Sequence, residues 1–281
     1  MYEGRIEALE SICGYLKKQN EKYVIMTDSN VAVNFDFNDL LHAHMASGAD
    51  ATVVYRKQEI PDSLIRKSTE TVDMYYALGI NGDHVSKIYV NPTEKGKMNF
   101  CLNIYVMERE SLIRMIDDAY VHGYTNFVRD ILERQIEHLD VRGYCYDGYV
   151  AQIHDMKSYF EENMKLLQEE NLNALFSGNQ IYTKIRDDNP TRYINGSKAK
   201  NIMVADGCVI EGEVENSVLF RGVRIGKGAK VKNCVLMQDT VVEDNASVEY
   251  VITDKDVTIT EGKSLTGNDS FQVFVAKGQT V

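Results

Sequence analysis

Several things are scarce in this chain of 281 residues, and each scarcity excludes something. No apolar run approaches the roughly 18–20 residues that a membrane-spanning helix needs. The N-terminus, MYEGRIEALE, carries acidic residues and lacks the apolar stretch of a signal peptide, which reads as cytoplasmic. Positive charge is short, with 31 Lys and Arg against 42 Asp and Glu and a net charge of −11. A general binder of nucleic acid or membrane surface would need the opposite field, so neither partner is expected. Cysteines are five, an odd number, at positions 13, 101, 145, 208 and 234, scattered among apolar neighbours. That pattern argues for buried reduced thiols and against a disulfide framework. Proline is rarer still, at three, and nothing is low-complexity. The length allows two domains, each with its own core.

What is present divides into two grammars. Residues 5–18 set Ile6, Leu9, Ile12 and Leu16 at helical spacing. Tyr23-Val24-Ile25-Met26 is apolar throughout and ends at Thr27-Asp28-Ser29-Asn30, as a strand buried in a parallel sheet would. Functional residues of such sheets cluster past the carboxyl ends of strands, where Asp28 to Asn30 fall. Asn38 is placed to cap a helix through Leu40, Leu41 and Met45 that closes at Gly48. Strands follow at 51–55, 101–107 and 149–153, with helices from Ser111 and over 156–176, the last turning Tyr159, Phe160, Leu166 and Leu167 inward. Residues 57–87 carry no clear period. This alternation is α/β.

From about residue 200 apolar residues recur every 17 positions: Val218, Val235, Ile252; Cys208, Ile225, Val242, Ile259; and Val214, Val231, Val248, Leu265. Gly228, Asn245 and Gly262 keep the same interval and suit left-handed corners. Three short strands per coil with an inward aliphatic every six residues is the signature of a hexapeptide β-helix. A β-sandwich with a coincidental period is the alternative. The expected domains are therefore 1–176, a linker over 177–200 holding Pro190, and 201–281.

Tyr2-Glu3-Gly4, YVIMTDSNVAVNFDF (23–37), LLHAHMASGADATVVYRK (40–57), CLNIYVM (101–107), NFVRDIL (126–132), YVAQIHDMKSYFEENMKLL (149–167) and PTRY (190–193) together resemble bacterial glucose-1-phosphate adenylyltransferases, of the GlgD subunit type. The resemblance implies a doubly wound nucleotidyltransferase domain, here N-terminally truncated, then a left-handed parallel β-helix, in an oligomer. It implies a chemistry joining ATP and glucose-1-phosphate into ADP-glucose and pyrophosphate, with Mg²⁺ held by two aspartates for in-line attack. The family's glycine-rich phosphate loop, a GGxGxRL-type motif, has no counterpart here, because the chain begins at the Tyr-x-Gly segment.

The site positions implied by the resemblance depart from the pattern. With Phe35-Asp36-Phe37 on the family's Met-Asp-Tyr, the first metal-binding aspartate becomes Asn30, unless a shifted alignment brings in Asp28. The second becomes Gln152, with His154 in a glycine position. The sugar-phosphate lysine becomes Asn91 in Val90-Asn91-Pro92, and the Ser-Met-Gly sugar contact becomes Cys101-Leu102-Asn103. Tyr2, Gly4, Asn91, Cys101, Asn103 and Asn126 are then vestigial substrate contacts, with no catalytic residue, no metal site and no cofactor. A neutral amide is a poor anchor for magnesium, where charge supplies most of the attraction. A regulatory subunit beside a catalytic partner is the expectation; a fragment of an active Mg²⁺-dependent nucleotidyltransferase is the alternative.

Other features have plain readings too. Asp36 suits a helix cap better than a metal, and His42 and His44, two apart, face different sides of a helix. Arg192, Lys198, Lys200, Arg221 and Arg224 form either a solvated basic face or a site for a phosphate or sugar-phosphate effector. Glu161, Glu162, Glu169 and Glu170 read as an outer helix face. No histidine follows His154, which disfavours a β-helix acyltransferase.

Overall fold

A computed structural model describes residues 4–61, 64–65, 75–94, 96–183 and 186–281. Its contacts divide into two compact units, Met1–Val31 with Phe35–Gly148, and Ala32–Asn34 with Tyr149–Val281.

The first unit begins with α1 (Arg5–Leu16), which buries Ile6, Leu9, Cys13 and Leu16. Ile12, expected on that inner side, is 46% exposed. Strand β1 (Tyr23–Thr27) follows, then α2 (Phe37–Ser47). The cap of α2 is Asp36, whose carboxylate accepts from the Asn38 backbone N–H at 2.8 Å, so Asn38 lies one turn position inside the helix it was expected to cap. Gly48 ends the helix at φ 66°, a conformation glycine adopts without steric cost. His44 is a packed core residue, 2.9 Å from the Thr52 hydroxyl and edge-on to Tyr23, and burial lowers its pKa.

The sheet is completed by β2 (Ala51–Glu59), β3 (Tyr76–Asn81), β4 (His84–Val90), β5 (Lys97–Glu108) and β6 (Val141–Cys145). Helix α3 (Arg109–Val121) and a π-helical stretch (Phe127–Glu133) lie between the last two strands. The strand order is β1-β5-β2-β6-β4-β3. β2 and β6 run parallel, while β1 runs antiparallel to β5 at the sheet edge and is only half-buried. This corrects the expectation of a parallel, fully buried β1. Its apolar run is explained instead by two covered faces: Val24 and Met26 meet the α1 side of the core, and Tyr23 meets His44 of α2. Among the cysteines, Cys145 is exposed, against expectation, and the other four are buried. Burial pushes the Cys234 thiol up to about 12, which keeps it protonated and inert.

In the second unit the helix expected over 156–176 is two, α4 (Met156–Lys165) and α5 (Glu169–Phe176). The last turn of α4 tightens, with Leu167 N–H on Met164 C=O and Gln168 N–H on Lys165 C=O, and the backbone is extended at Gln168. Asp155 and Ser158 make a reciprocal capping box at the start of α4. Of the strand expected over 149–153, Ala151–Gln152 forms.

The remainder is a parallel β-solenoid. Val214, Val231, Val248 and Leu265 stack rung on rung, as their interval predicts. The Cys208 set needs correction: Ile225, Val242 and Ile259 do stack, but their partner in the first coil is Ile210. That first coil is two residues shorter, and Arg192–Tyr193 already pairs with Val209–Ile210, so 192–200, read as linker from sequence, lies within the solenoid. Val218, Val235 and Ile252 also stack, yet they face outward, where Phe160 of α4 covers them with Tyr159, Met164 and Leu167. Each coil turns three corners. Gly228, Asn245 and Gly262 form one, Gly222, Asp239 and Asp256 another, and Asn216, Asn233 and Tyr250 the third, all at positive φ. Asn233→Ala should lower solenoid stability by about 1 kcal/mol and Asn233→Gly by less, since only the first adds a Cβ without the local hydrogen bonding of asparagine. Thermal melts of the two variants check this.

Candidate functional site

The site positions of the first unit gather around the carboxyl end of β1 and the middle of β5. Gly4 opens this region. A Cβ there would lie 2.4 Å from the Thr125 carbonyl oxygen, and the Ile6 N–H donates to that same oxygen. The close approach fixes the start of α1 and with it Arg5. Nη2 of Arg5 lies 2.6 Å from both carboxylate oxygens of Asp28, and its guanidinium stands 5.6 Å from the centre of the Tyr105 ring. Burial opposes the Arg5 charge, but Tyr105 and Asp28 outweigh it and raise the pKa. The single carboxylate directly after β1 is therefore committed to a charge-assisted contact inside the chain.

Asn30 follows two residues later. Its amide oxygen is buried and has no hydrogen-bond partner among the described residues. Cys101 and Asn103 sit where β5 bulges against β2, since Val54 pairs with Ile104 and Tyr55 with Cys101. Asn103 adopts φ 56° and accepts from the Tyr105 hydroxyl at 2.9 Å, while the Cys101 sulfur lies 3.4 Å from that hydroxyl. Burial raises the Cys101 thiol and holds the Tyr105 phenol well above its usual range, so both stay neutral. Arg5, Asp28, Asn103 and Tyr105 close one end of a cleft of about 500 Å³ whose other walls are mainly apolar, from Ile12 and Val24 among others.

Asn91 and Asn126 serve the backbone. Asn91 closes the β3–β4 hairpin, its Oδ1 accepting from the Tyr75 N–H at 3.0 Å. Asn126 caps the π-helical stretch, accepting from the Arg129 N–H and from the Tyr76 hydroxyl. Asp130, 5% exposed, accepts from the N–H groups of Thr125 and Asn126 and from the Arg129 guanidinium. Those donors, Arg129 first, hold its pKa down to about 2. Sequence reasoning missed Arg5, Tyr105 and Asp130; the Tyr2 position lies outside the described residues. Gln152 belongs to the second unit, in the short strand Ala151–Gln152. Among the described residues no three His, Cys, Asp or Glu side chains converge as metal ligands.

The basic candidates of the solenoid do not form one cluster. Lys198 pairs with Glu213 at 2.7 Å and Lys200 with Glu215 at 3.3 Å on one face. Arg221 reaches Asp188 at 3.7 Å. Arg192 and Arg224 share a column on another face, both in register with Val209.

Residues 185–272, the bulk of the solenoid, match the GlmU-like C-terminal hexapeptide family. Over 94% of its length the chain is 30% identical to the glycogen biosynthesis protein GlgD of Bacillus subtilis, covering 65% of that protein. It is 30% identical to a glucose-1-phosphate adenylyltransferase of Geobacillus stearothermophilus, over 82% of this chain and 59% of the relative. The GlgD of that organism is 31% identical over 81% of this chain. The chain is a relative of the GlgD and glucose-1-phosphate adenylyltransferase proteins. It spans less than two thirds of the length of these relatives. The GlgD likeness runs through both units, so the amides at Asn30 and Gln152 lie within the matched α/β and solenoid architecture and not in an unrelated insertion.

Proposed function

We propose that the chain acts in glycogen biosynthesis as a GlgD-type subunit without turnover of its own, associated with a catalytic glucose-1-phosphate adenylyltransferase. One observation carries this reading: at the end of β1 the metal position holds the neutral amide of Asn30, and the nearby Asp28 carboxylate is taken by Arg5. Recruiting Asp28 to a cation would break a pair at 2.6 Å and strand the guanidinium. Gln152 at the second position is likewise neutral. Magnesium does not fit such donors, because two phosphate-bridging sites built on carboxylates derive most of their affinity from charge. What the chain offers a partner is a folded scaffold. With Lys198, Lys200 and Arg221 engaged by carboxylates, Arg192 and Arg224 are the residues we assign to any phosphate or sugar-phosphate effector.

The test is pyrophosphate release from ATP and glucose-1-phosphate with Mg²⁺. The chain alone should give no turnover above background. Added to the Geobacillus stearothermophilus adenylyltransferase, it should co-elute and change kcat/KM. Robust turnover by the chain alone, abolished by Asn30→Ala, overturns the reading.

A further inference from the structure

β1 lies at the sheet edge, and its backbone pattern can be read from two hydrogen bonds. The Arg109 N–H donates to the Lys22 carbonyl at 2.8 Å, which makes Lys22 and Arg109 a hydrogen-bonded pair of the antiparallel β1–β5 ladder. Such pairs alternate, so Val24 with Met107 and Met26 with Tyr105 are hydrogen-bonded too. The other side of β5 agrees: the Ala51 N–H donates to Asp140 toward β6, which leaves Thr52 and Val54 to bond Val106 and Ile104. Tyr23, Ile25 and Thr27 thus aim their N–H and C=O groups away from the sheet.

An open edge is a template for another strand, and proteins blunt such edges with proline, charge or bulges. β1 has none of these within Tyr23–Thr27. Beside it runs the apolar cleft of about 500 Å³ between α1 and β1, with Ile12 exposed where the helical pattern would bury it. An unpaired main-chain edge and an apolar wall on one face are what a guest strand needs: backbone bonds on one side and pockets for alternate side chains on the other.

We infer that β1 is an acceptor strand, completed by an extended apolar strand from polypeptide equivalent to the part of the relatives that this chain does not span. That occupant follows from length, since the matched region is 65% of the Bacillus subtilis GlgD and the same architecture there has a further third of chain to place. The inference concerns β1 alone and stands apart from the question of catalysis.

The experiment uses the full chain and, as probe, the region of Bacillus subtilis GlgD outside the match, made as a separate polypeptide. Binding is measured by calorimetry and stoichiometry by light scattering. Ile25→Pro removes an N–H that faces away from β5, so the free chain should melt as the parent does while binding weakens roughly tenfold or more. Val24→Pro removes an N–H that Met107 uses and should lower the melting temperature. Thr27→Pro, also outward-facing, replaces Ile25→Pro if the latter fails to fold. One-to-one binding sensitive to the outward prolines supports the inference. No binding by the parent, equal binding by the proline variants, or a β1-paired homodimer that the probe does not displace overturns it. None of these readouts depends on pyrophosphate release.

Discussion

Asp130→Ala should be among the most destabilising single changes in the first unit, costing about 3 kcal/mol at neutral pH. The carboxylate is 5% exposed and satisfies two backbone N–H groups and the Arg129 guanidinium at once. Alanine leaves all three donors without their acceptor. Because its folded pKa sits near 2, below the ordinary 3.8, the carboxylate contributes about 2 kcal/mol that is fully present above pH 4. That share is lost as pH falls from about 4 through 2. Urea melts of the parent and Asp130→Asn should therefore differ most at pH 7 and converge toward pH 2. A constant difference across that range would refute the assignment. The loss should also reach the candidate site, since Thr125 anchors the start of α1 through the Ile6 N–H and so positions Arg5 on Asp28.

Gly212→Ala should cost about 2–3 kcal/mol by a different route. A Cβ there would stand 2.4 Å from the Ala229 carbonyl oxygen and 2.7 Å from that of Gly226, both main chain of the next coil. Backbone cannot swing aside as a side chain can, so the rungs must part. Gly262→Ala is the control: nothing lies within 4 Å of its Cβ, but φ is +68°, so about 1 kcal/mol of dihedral cost is expected alone. Equal losses in the two variants, measured by chemical denaturation, would show that contact between coils is not what Gly212 protects.

The solenoid was legible because each inward side chain answers to the residue directly above it, so Val214, Val231, Val248 and Leu265 print their geometry as an interval. The first coil was not, since Cys208 and Ile210 are both apolar and either could take the next place in the column. An outward apolar column under a helix looks the same in sequence as an inward one, which is why Val218, Val235 and Ile252 were misplaced. For β1, residues apolar on both faces suit a covered edge as well as a sheet centre. In the site, Asn30, Asn91 and Asn103 could be named from the resemblance, but their surroundings could not. Arg5 and Asp28 are separated by 23 residues and Tyr105 by 100 from Arg5, and nothing periodic links such partners.

The solenoid's coils also differ in size without losing alignment. Val214 is 15 residues from Ala199 in the coil before it, Val231 is 17 from Val214, and Phe274 is 22 from Ile252, yet each pair stays in register. Length changes are absorbed at the corners, and the neighbouring turns do not feel them. A peptide tag or a fluorophore loop could therefore be spliced beside Asn268–Phe271, where the chain already makes an excursion, and the stack beneath would keep its spacing.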